Sequence, residues 1–196
     1  MQQGNPDATR YDASCDGTWL LRKYCTNAMQ WNSATSNEYA QSSINSWLNN
    51  TFINTLNIKD IISQVKIPYE YHSGNTHVDA IKENGLSTKV FLLSAPEVNY
   101  GEFYISSVIG NTLEYFSLCS TSSNCPTRIA RQNASSSGSY WWLRSTQTNS
   151  TANVYSVNAT GKGESTTVTN ANFARPAFII PSDTEVDEFG NIVPPQ

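Results

Sequence analysis

Tyr140-Trp141-Trp142-Leu143 is predicted to form a β-strand because of its aromatic content. A second short strand is predicted at Val154-Tyr155-Ser156-Val157, and a third from Phe173 to Ile180, where Pro181 ends it. Because the three segments follow one another closely in sequence, they predict an antiparallel meander in the last third of the chain.

Most bulky residues of these blocks are expected inside the protein. In a strand at most every second side chain faces outward, so core or scaffold positions should dominate. We expect that role for Trp141, Trp142, Leu143, Arg175 and Phe178. Arg144 and Arg175 can bury their stems while their guanidinium groups bond carbonyls or a carboxylate, which favours a structural role over ligand contact.

Two short helices are predicted upstream. From Ile44 to Leu48 the apolar residues recur at i, i+3 and i+4, and Ser42 or Ser43 can cap the start. From Ile58 to Val65 they recur at i, i+3, i+4 and i+7, Asn57 can cap the start, and a following proline prevents continuation. Both helices are expected to pack on a sheet.

The remaining segments give one clear strand and two loops. Residues Trp19 to Tyr24 form the first strand candidate, and Tyr69 to Thr88 is predicted as a loop. The apolar run Val90-Phe91-Leu92-Leu93 is too short for a helix and suits a central strand buried on both sides. Residues 97–139 have weak periodicity and predict a loop with local turns.

Length and composition limit the possible domain organisation and binding partners of the chain. The 196 residues, 38% of them hydrophobic, predict a single domain over 1–196, with extended tails at 1–16 and 182–196. Charged residues make up only 14% and the net charge is −4, so the chain offers no basic cluster to neutralise phosphates and a nucleic-acid partner is disfavoured. No apolar stretch approaches 18 residues, so membrane insertion is not expected.

The usual catalytic fingerprints are absent from the sequence, including G-x-S-x-G, H-E-x-x-H, Walker and dinucleotide-binding motifs. Catalysis would therefore have to depend on carboxylates. Asp12 and Asp16 are one candidate pair. A second set is better interpreted as part of a solvated C-terminal tail and comprises Asp183, Glu185, Asp187 and Glu188.

Neither cofactor nor metal is expected. His72 and His77 lie in a Ser/Gly/Asn-rich segment without matching ligand spacing, so we interpret them as solvated loop histidines. Cys15 and Cys25 flank an extended segment that would hold them beyond disulfide distance. A disulfide between Cys119 and Cys125 would close the polar loop between them. The sequence does not decide whether it forms, because a disulfide requires an oxidising compartment.

The segment between the aromatic block and the last strand has an unusual composition. Of its 28 residues from Ser145 to Asn172, 16 are Ser, Thr or Asn, and only Lys162 and Glu164 are charged. A polar surface loop is one explanation. The other is a varied polar surface, held in a fixed frame by the blocks on either side and suited to binding.

Five stretches carry a resemblance to a known family: Cys15-Asp16-Gly17-Thr18-Trp19-Leu20-Leu21, Ser46-Trp47-Leu48-Asn49-Asn50-Thr51-Phe52, Lys89-Val90-Phe91-Leu92-Leu93-Ser94, Trp141-Trp142-Leu143-Arg144-Ser145 and Ala174-Arg175-Pro176-Ala177-Phe178. In this order the sequence resembles an uncharacterised domain family of bacterial and phage tail-associated or surface proteins. The resemblance implies an α+β, C-type-lectin-like fold, with two short helices packed on small antiparallel sheets and a long, loop-rich ligand region near the C-terminus.

Proteins of that fold include the variable proteins of diversity-generating retroelements, and the bias in residues 145–173 looks like their diversified region. The resemblance thus implies a ligand-binding surface with Tyr155 as its aromatic anchor and adaptable polar side chains around it. The expected contact residues are Gln147, Asn149, Thr151, Asn153, Tyr155, Asn158, Lys162, Glu164, Thr166, Thr169 and Asn172. The calcium-binding motifs of sugar-binding C-type lectins are missing, and Trp31-Asn32-Ser33 matches one of these motifs only in part. Formylglycine-generating enzymes share the broader fold, but Cys119 and Cys125 lack any supporting motif, and a shared fold alone does not confer activity.

The sequence therefore predicts a non-enzymatic recognition module of a virion (phage tail) or bacterial cell surface, whose partner is a protein or glycan on a cell surface. An oligomer is compatible with this expectation. Two alternatives remain: a structural tail or spike component without a ligand of its own, and a carboxylate-based hydrolase. Recognition requires neighbouring exposed side chains on one face, assembly requires that face buried in an oligomer, and hydrolysis requires a cleft with close carboxylates.

Overall fold

The computed structural model describes residues 1–73, 76–102, 104–185 and 192–193. The fold is mixed α+β, with short strands in several small sheets and, within those residues, one α-helix, α1 (Ser43–Asn50). The strands in chain order are β1 (Gln2–Gln3), β2 (Thr18–Leu21), β3 (Ala28–Gln30), β4 (Val65–Ile67), β5 (Tyr69–Ser73), β6 (Thr76–Ala80), β7 (Leu86–Thr88), β8 (Val90–Phe91), β9 (Ala130–Arg131), β10 (Gly138–Ser139), β11 (Trp141–Thr146), β12 (Asn153–Val157), β13 (Gly163–Thr167), β14 (Ala171–Phe173) and β15 (Ala177–Ile180). Short 3-10 helices lie at Ala13–Cys15, Tyr39–Gln41, Phe52–Thr55, Lys82–Asn84, Glu114–Phe116 and Pro126–Arg128.

An antiparallel four-stranded sheet has the order β1-β2-β15-β8. The strand predicted from Trp19 to Tyr24 is confirmed in its first half by β2. Residues 90–93 are completely buried as expected, but the prediction of a central strand is wrong, because β8 lies at the edge of the sheet. The side chain of Asn49 in α1 covers that edge: it accepts from the amides of Lys89 and Val90 and donates to the Val90 carbonyl.

A five-stranded sheet has the order β13-β12-β11-β14-β3. Its strands β11, β12 and β13 form an antiparallel meander, as predicted for the first two of them. The prediction of the third strand is wrong, because β13, which the sequence did not predict, takes the place expected for Phe173 to Ile180. The predicted strand from Phe173 to Ile180 is instead divided between the two sheets. Strand β14 pairs in parallel with β11, and β15 joins β2 and β8. Ala174-Arg175-Pro176 connects β14 to β15. Pro176 has no backbone N–H that could donate a hydrogen bond to a neighbouring strand.

The first predicted helix is confirmed by α1, whose cap is Ser42: its Oγ accepts from the Asn45 amide at 3.2 Å. The second predicted helix is wrong. Residues 57–62 form turns, and Val65 begins β4, which pairs with β7. The apolar spacing has another cause: Ile62 and Val65 are buried in the core, and Ile58 and Ile61 pack against it half-buried. The Ser63 amide donates to the Ile179 carbonyl at 2.8 Å.

The loop predicted from Tyr69 to Thr88 is also wrong, because this segment contains the β5–β6 hairpin and β7. Its sequence has alternating Tyr, His, Thr and Val on both sides of Gly74-Asn75, and a two-residue Gly-Asn connection is a recognised hairpin signal. His72 and His77 are therefore cross-strand partners and not solvated loop residues. The irregular structure expected for 97–139 is confirmed in its described residues, apart from two 3-10 turns and the short β9–β10 pair.

Residues 1–16, expected as an extended tail, are packed on the domain: β1 pairs with β2, and Tyr11 and Cys15 belong to the core. Most of the predicted tail at 182–196 lies outside the described residues. Cys15 and Cys25 do not form a disulfide with each other, as predicted, and both free thiols are buried. Cys119 and Cys125 form a disulfide, which resolves the alternative left open by the sequence.

The expected core and scaffold role of Trp141, Trp142, Leu143, Arg175 and Phe178 is confirmed, since all five are buried. Strand β11 is buried along its entire length, so neither of its faces reaches solvent. This strand forms the centre of the frame that holds the Ser/Thr/Asn-rich segment.

Arg144 lies in β11 with its side chain completely buried, where it forms an ion pair with the equally buried Glu97. Both terminal nitrogens bond the carboxylate at 2.6 Å. The remaining donors reach the carbonyls of Pro68, Leu92 and Ile109, so all five guanidinium N–H groups have acceptors. Arg144 is a structural residue, as the sequence analysis favoured.

Candidate functional site

The predicted contact residues differ in their exposure. Asn149, Thr151 and Lys162 are exposed, whereas Tyr155 and Asn172 are buried. The half-buried residues are Gln147, Asn153, Asn158, Glu164, Thr166 and Thr169. Nine of the eleven residues thus reach solvent at least in part, and Tyr155 and Asn172 do not. We define the polar surface as the solvent-reaching side chains of residues 147–170; in β13 they occupy both faces, because Glu164 and Thr166 alternate with Ser165 and Thr167.

Tyr155 is not an exposed anchor, and that expectation is wrong. Its side chain is 1% exposed and lies beside the Tyr100 ring, with 6.2 Å between the ring centroids. Burial raises the pKa of the Tyr155 phenol to about 12. Tyr155 belongs to the scaffold because four of the five residues of β12 are buried, so alternation cannot turn its ring to solvent.

Asn172 is buried for a topological reason. It lies in β14, which is hydrogen-bonded to β11 on one side and to β3 on the other, with Met29 as its partner in β3. A strand between two neighbours has no free edge, and its inward face packs against the core. The sequence prediction placed this residue at the end of a loop and missed the strand.

Side chains of the polar surface bond one another across β12 and β13. The Gln147 amide oxygen accepts from Ser165 Oγ at 2.5 Å and from Asn153 Nδ2 at 3.3 Å. Thr167 Oγ1 donates to Asn153 Oδ1 at 3.3 Å. Ser165 and Thr167 are exposed residues of β13 that the sequence analysis missed, because an all-polar strand shows no hydrophobic alternation.

The loop that connects β11 and β12 is held through its main chain by Asn37, which is 2% exposed. Asn37 Nδ2 donates to the carbonyl oxygens of Ser150 and Asn153 at 2.7 and 3.0 Å, and its backbone N–H donates to the Thr151 carbonyl at 3.0 Å. These bonds do not involve the loop side chains. Asn37 is another residue that sequence reasoning missed, since nothing in its local pattern marks a contact more than a hundred residues away.

His72 of β5 extends this anchorage. One ring nitrogen lies 3.1 Å from Asn37 Oδ1 and the other lies 3.4 Å from the Thr148 carbonyl oxygen. Both oxygens are acceptors, so the single N–H of a neutral imidazole donates to one of them, and His72 links the hairpin either to Asn37 or to the start of the loop.

The β12–β13 turn is anchored in the same way. The Cys125 amide and Arg128 Nη1 both donate to the Gly161 carbonyl, at 3.3 and 3.1 Å. Gly161 has φ +82°, and a Cβ at this position would collide with the Cys125 carbonyl, so glycine is required. Cys125 and Arg128, which lie outside residues 147–170, thus bond the main chain of this turn.

The far end of the segment is held by β3 and the residues that follow it. The Val168 carbonyl accepts from the amides of Trp31 and Asn32, and Gln30 Nε2 donates to the Thr169 carbonyl at 2.8 Å. From loop to last turn, the polar surface is thus attached to the scaffold by main-chain carbonyls.

The charges around this surface offer little for acid–base chemistry. Glu164 accepts from Asn158 Nδ2 at 3.3 Å, and Lys162 is exposed. The buried carboxylate of Glu97 is occupied by Arg144, Tyr11 and the Ser94 amide. Asp12 caps the first 3-10 helix by accepting from the Ser14 amide. Hydrogen bonding is therefore the main interaction that the polar surface can offer.

Residues 16–182 match a family described as a domain of unknown function, DUF6273. The chain belongs to the DUF6273 family. The match includes the five-stranded sheet, the four-stranded sheet apart from β1, and the whole polar surface, so the DUF6273 domain comprises frame and surface together. No curated protein and no solved structure matches the chain. Among the described residues of this DUF6273 protein, no helix has the length and apolar character needed to cross a membrane.

Proposed function

We propose that this chain is a non-enzymatic recognition module with a C-type-lectin-like fold, and that its polar surface binds a protein or glycan on a cell surface. One observation carries the proposal: residues outside the segment hold residues 147–170 through main-chain carbonyls. Asn37 bonds the loop after β11, and Arg128 bonds the turn after β12. The exposed side chains of Asn149, Thr151 and Lys162 take no part in these bonds and can change without loss of them. Ser150 Oγ and Asn158 Oδ1, in contrast, accept from backbone amides within the segment and belong to its local structure.

This attachment suits a surface that must vary. A loop held by its own side chains loses its conformation when those side chains are replaced, whereas a loop held by carbonyl oxygens keeps it. The exposed residues Asn149, Thr151, Lys162, Ser165 and Thr167 lie on such a backbone. The arrangement therefore supports diversification of the kind found in retroelement variable proteins.

The chemistry of the surface indicates the class of ligand. Asn, Ser and Thr donate and accept hydrogen bonds at low conformational cost, as they do in antibody paratopes. One Lys and one Glu between Ser145 and Asn172 leave the surface nearly neutral. An uncharged polar ligand, such as a glycan or a polar protein epitope at the surface of a bacterium, fits this chemistry, and a virion or cell-surface location follows from the proposal.

A structural tail or spike component is the second candidate, because a separate apolar feature favours assembly. Leu118 is 97% exposed and Tyr115 is 50% exposed on the segment that begins with the 3-10 helix Glu114–Phe116. Side chains of this kind are typical of contact surfaces. If assembly were the main role, the Leu118→Ser variant would shift the oligomeric state in sedimentation while changes at the polar surface would have no effect on binding.

The test of recognition compares two triple variants. Asn149→Ala, Thr151→Ala and Lys162→Ala change the polar surface, and Thr51→Ala, Asn57→Ala and Lys59→Ala change three exposed residues of the same types elsewhere. Fluorescently labelled full chains are mixed with a panel of intact bacterial cells and measured by flow cytometry. We expect the first variant to bind at least about tenfold more weakly and the second to bind normally.

Both variants should keep their stability within about 0.5 kcal/mol per substitution, because the changed side chains are exposed. Equal binding by the two variants would contradict the proposal. So would unfolding of the first variant, since it would mean that these side chains hold the loop, and so would a chain that binds no cell of the panel.

A further inference from the structure

The β5–β6 hairpin gathers metal-ligating side chains that the sequence placed in a loop. In its antiparallel register Glu70 faces Asp79 and His72 faces His77. Residues two apart in a strand point to the same face, so all four side chains share one face of the hairpin. The expectation of no metal depended on the interpretation of His72 and His77 as solvated loop residues. That interpretation is wrong, because both residues belong to the β5–β6 hairpin.

Three of the four residues converge at one point. The ligand atoms of Glu70, His77 and Asp79 all lie within 4.8 Å of one another, with His77 Nε2 2.8 Å from Glu70 Oε2. A tetrahedral zinc ion with bonds of about 2.0–2.2 Å holds its ligand atoms about 3.3–3.6 Å apart. His77 Nε2 and Glu70 Oε2 would therefore need to separate by about 0.5–0.8 Å, and a pair of ligand atoms at the 4.8 Å limit would need to approach by about 1.2–1.5 Å.

Part of the cluster is already fixed in position. The Glu70 side chain is fully buried, and its second oxygen, Oε1, accepts from the Thr146 amide at 2.5 Å. Such a bond from the surroundings orients a carboxylate ligand. His72 is held by Asn37 or by the Thr148 carbonyl, and its ring contacts His77 edge to face with 5.3 Å between centroids.

The charge of the buried carboxylate adds a reason for a cation. The Glu70 side chain is fully buried, where an unpaired carboxylate charge is costly. Among the residues that the structure describes, its ion-pair partner is His77, and Asp79 adds a second negative charge nearby. Two carboxylates and one imidazole leave a negative group that a divalent ion would neutralise.

We propose that Glu70, His77 and Asp79 form a binding site for a divalent transition metal of the zinc class. One imidazole and two carboxylates suit zinc or cobalt better than magnesium or calcium, which prefer oxygen ligands alone. Asp79 is exposed, so the ion enters from its side, and a solvent molecule completes the coordination there.

The site has a structural consequence that does not depend on the proposed recognition function. Glu70 bonds the Thr146 amide at the end of β11, and the His72 ring lies 3.4 Å from the Thr148 carbonyl oxygen in the following loop. An ion held by Glu70 and the opposite strand would fasten the hairpin to the start of that loop.

The test uses the full chain after removal of bound metal with a chelator. Cobalt(II) is titrated while its visible absorption bands are recorded, because tetrahedral cobalt with nitrogen and oxygen ligands absorbs far more strongly than the hydrated ion. Zinc(II) is then added to displace it. We expect saturation at one equivalent, displacement by zinc, and a rise in melting temperature with zinc but not with equimolar magnesium.

Two variants and a matched control locate the site. Asp79→Asn should weaken cobalt binding by at least about tenfold, and His77→Gln should remove the absorption bands. Asp60→Asn, another exposed aspartate changed in the same way, should bind like the original chain. If His77→Gln does not fold, Asp79→Asn decides alone, because Asp79 is exposed. Absence of the bands, or bands that persist in Asp79→Asn, would overturn the proposal.

Discussion

Arg144 shows how much of this domain depends on one guanidinium group. It bonds Glu97 with two nitrogens and reaches the carbonyls of Pro68, Leu92 and Ile109. A planar fork with five donors can satisfy all these acceptors, whereas an ammonium group has three donors and a different shape. The charge at this position is thus less important than the geometry.

We therefore expect the Arg144→Lys substitution to destabilise the domain by about 3–5 kcal/mol, in the range found when a buried ion pair loses a partner. Lysine would leave Glu97 and at least one carbonyl without adequate donors. Urea denaturation measures the loss, and Arg131→Lys, at an exposed arginine, is the control. A loss below about 1 kcal/mol would show that charge alone suffices at this position.

At single residues the sequence predicted burial better than exposure. Trp141, Trp142 and Leu143 are in the core as expected, because large apolar side chains have few alternatives. Tyr155 was placed on the surface for its chemistry, yet its position depends on whether both faces of β12 are covered. That coverage comes from Tyr100, which lies far away in the chain and has no local signal.

Among the elements, the loop between β11 and β12 depends most on a residue outside it. Asn37 donates three hydrogen bonds to this loop, two of them from its side-chain amide. The loop was recognised in the sequence from its composition, but its anchorage was not, because the contacts join residues more than a hundred positions apart.

Replacing Asn37 with alanine should free this loop. The carbonyls of Ser150 and Asn153 would lose their buried donor, at a cost of about 1–3 kcal/mol. Hydrogen exchange measured by mass spectrometry should become faster in residues 147–153. Asn149→Ala, inside the loop but exposed, should leave exchange unchanged, and the opposite pattern would show that the loop holds itself.

Elements rich in apolar residues were mostly predicted well, and polar ones were missed. Helix α1 has apolar residues at helical spacing, and strands β2, β11 and β12 contain short runs of apolar residues. Strand β13 is polar on both faces, and β5–β6 was recognisable only from its Gly-Asn connection. The residues from Ile58 to Val65 had the spacing of a helix, but pairing of β4 with β7 prevailed over that local pattern.

At the scale of the whole molecule, several tyrosines act as neutral core residues. Tyr11, Tyr39 and Tyr155 are each at most 2% exposed, and burial raises the pKa of all three phenols. Unfolded tyrosine ionises near pH 10. The stability that these residues contribute is therefore complete below about pH 10 and is lost as the pH rises toward their higher folded pKa values.

We expect the free energy of unfolding to fall above about pH 10 by up to about 1.4 kcal/mol per pH unit for each buried tyrosine. Urea denaturation at several alkaline pH values measures it, and the ultraviolet absorbance of tyrosinate should rise together with unfolding. Tyr155→Phe should reduce the slope, whereas Tyr140→Phe, at an exposed tyrosine, should not. Identical slopes in both variants would contradict this account.

The attachment of residues 147–170 through carbonyl oxygens has a consequence for how this segment can evolve. Asn37 fits a loop in which the carbonyls of Ser150, Thr151 and Asn153 fall at fixed places, and the exposed side chains of Asn149 and Thr151 take no part in these bonds. Exchange of one codon for another preserves that spacing. Insertion or deletion of a single codon moves every later carbonyl away from its donor. It also shifts the register of β12 by one residue, so that each β12 side chain moves to the opposite face of the sheet. Variation in this segment should therefore consist of replacements at constant length.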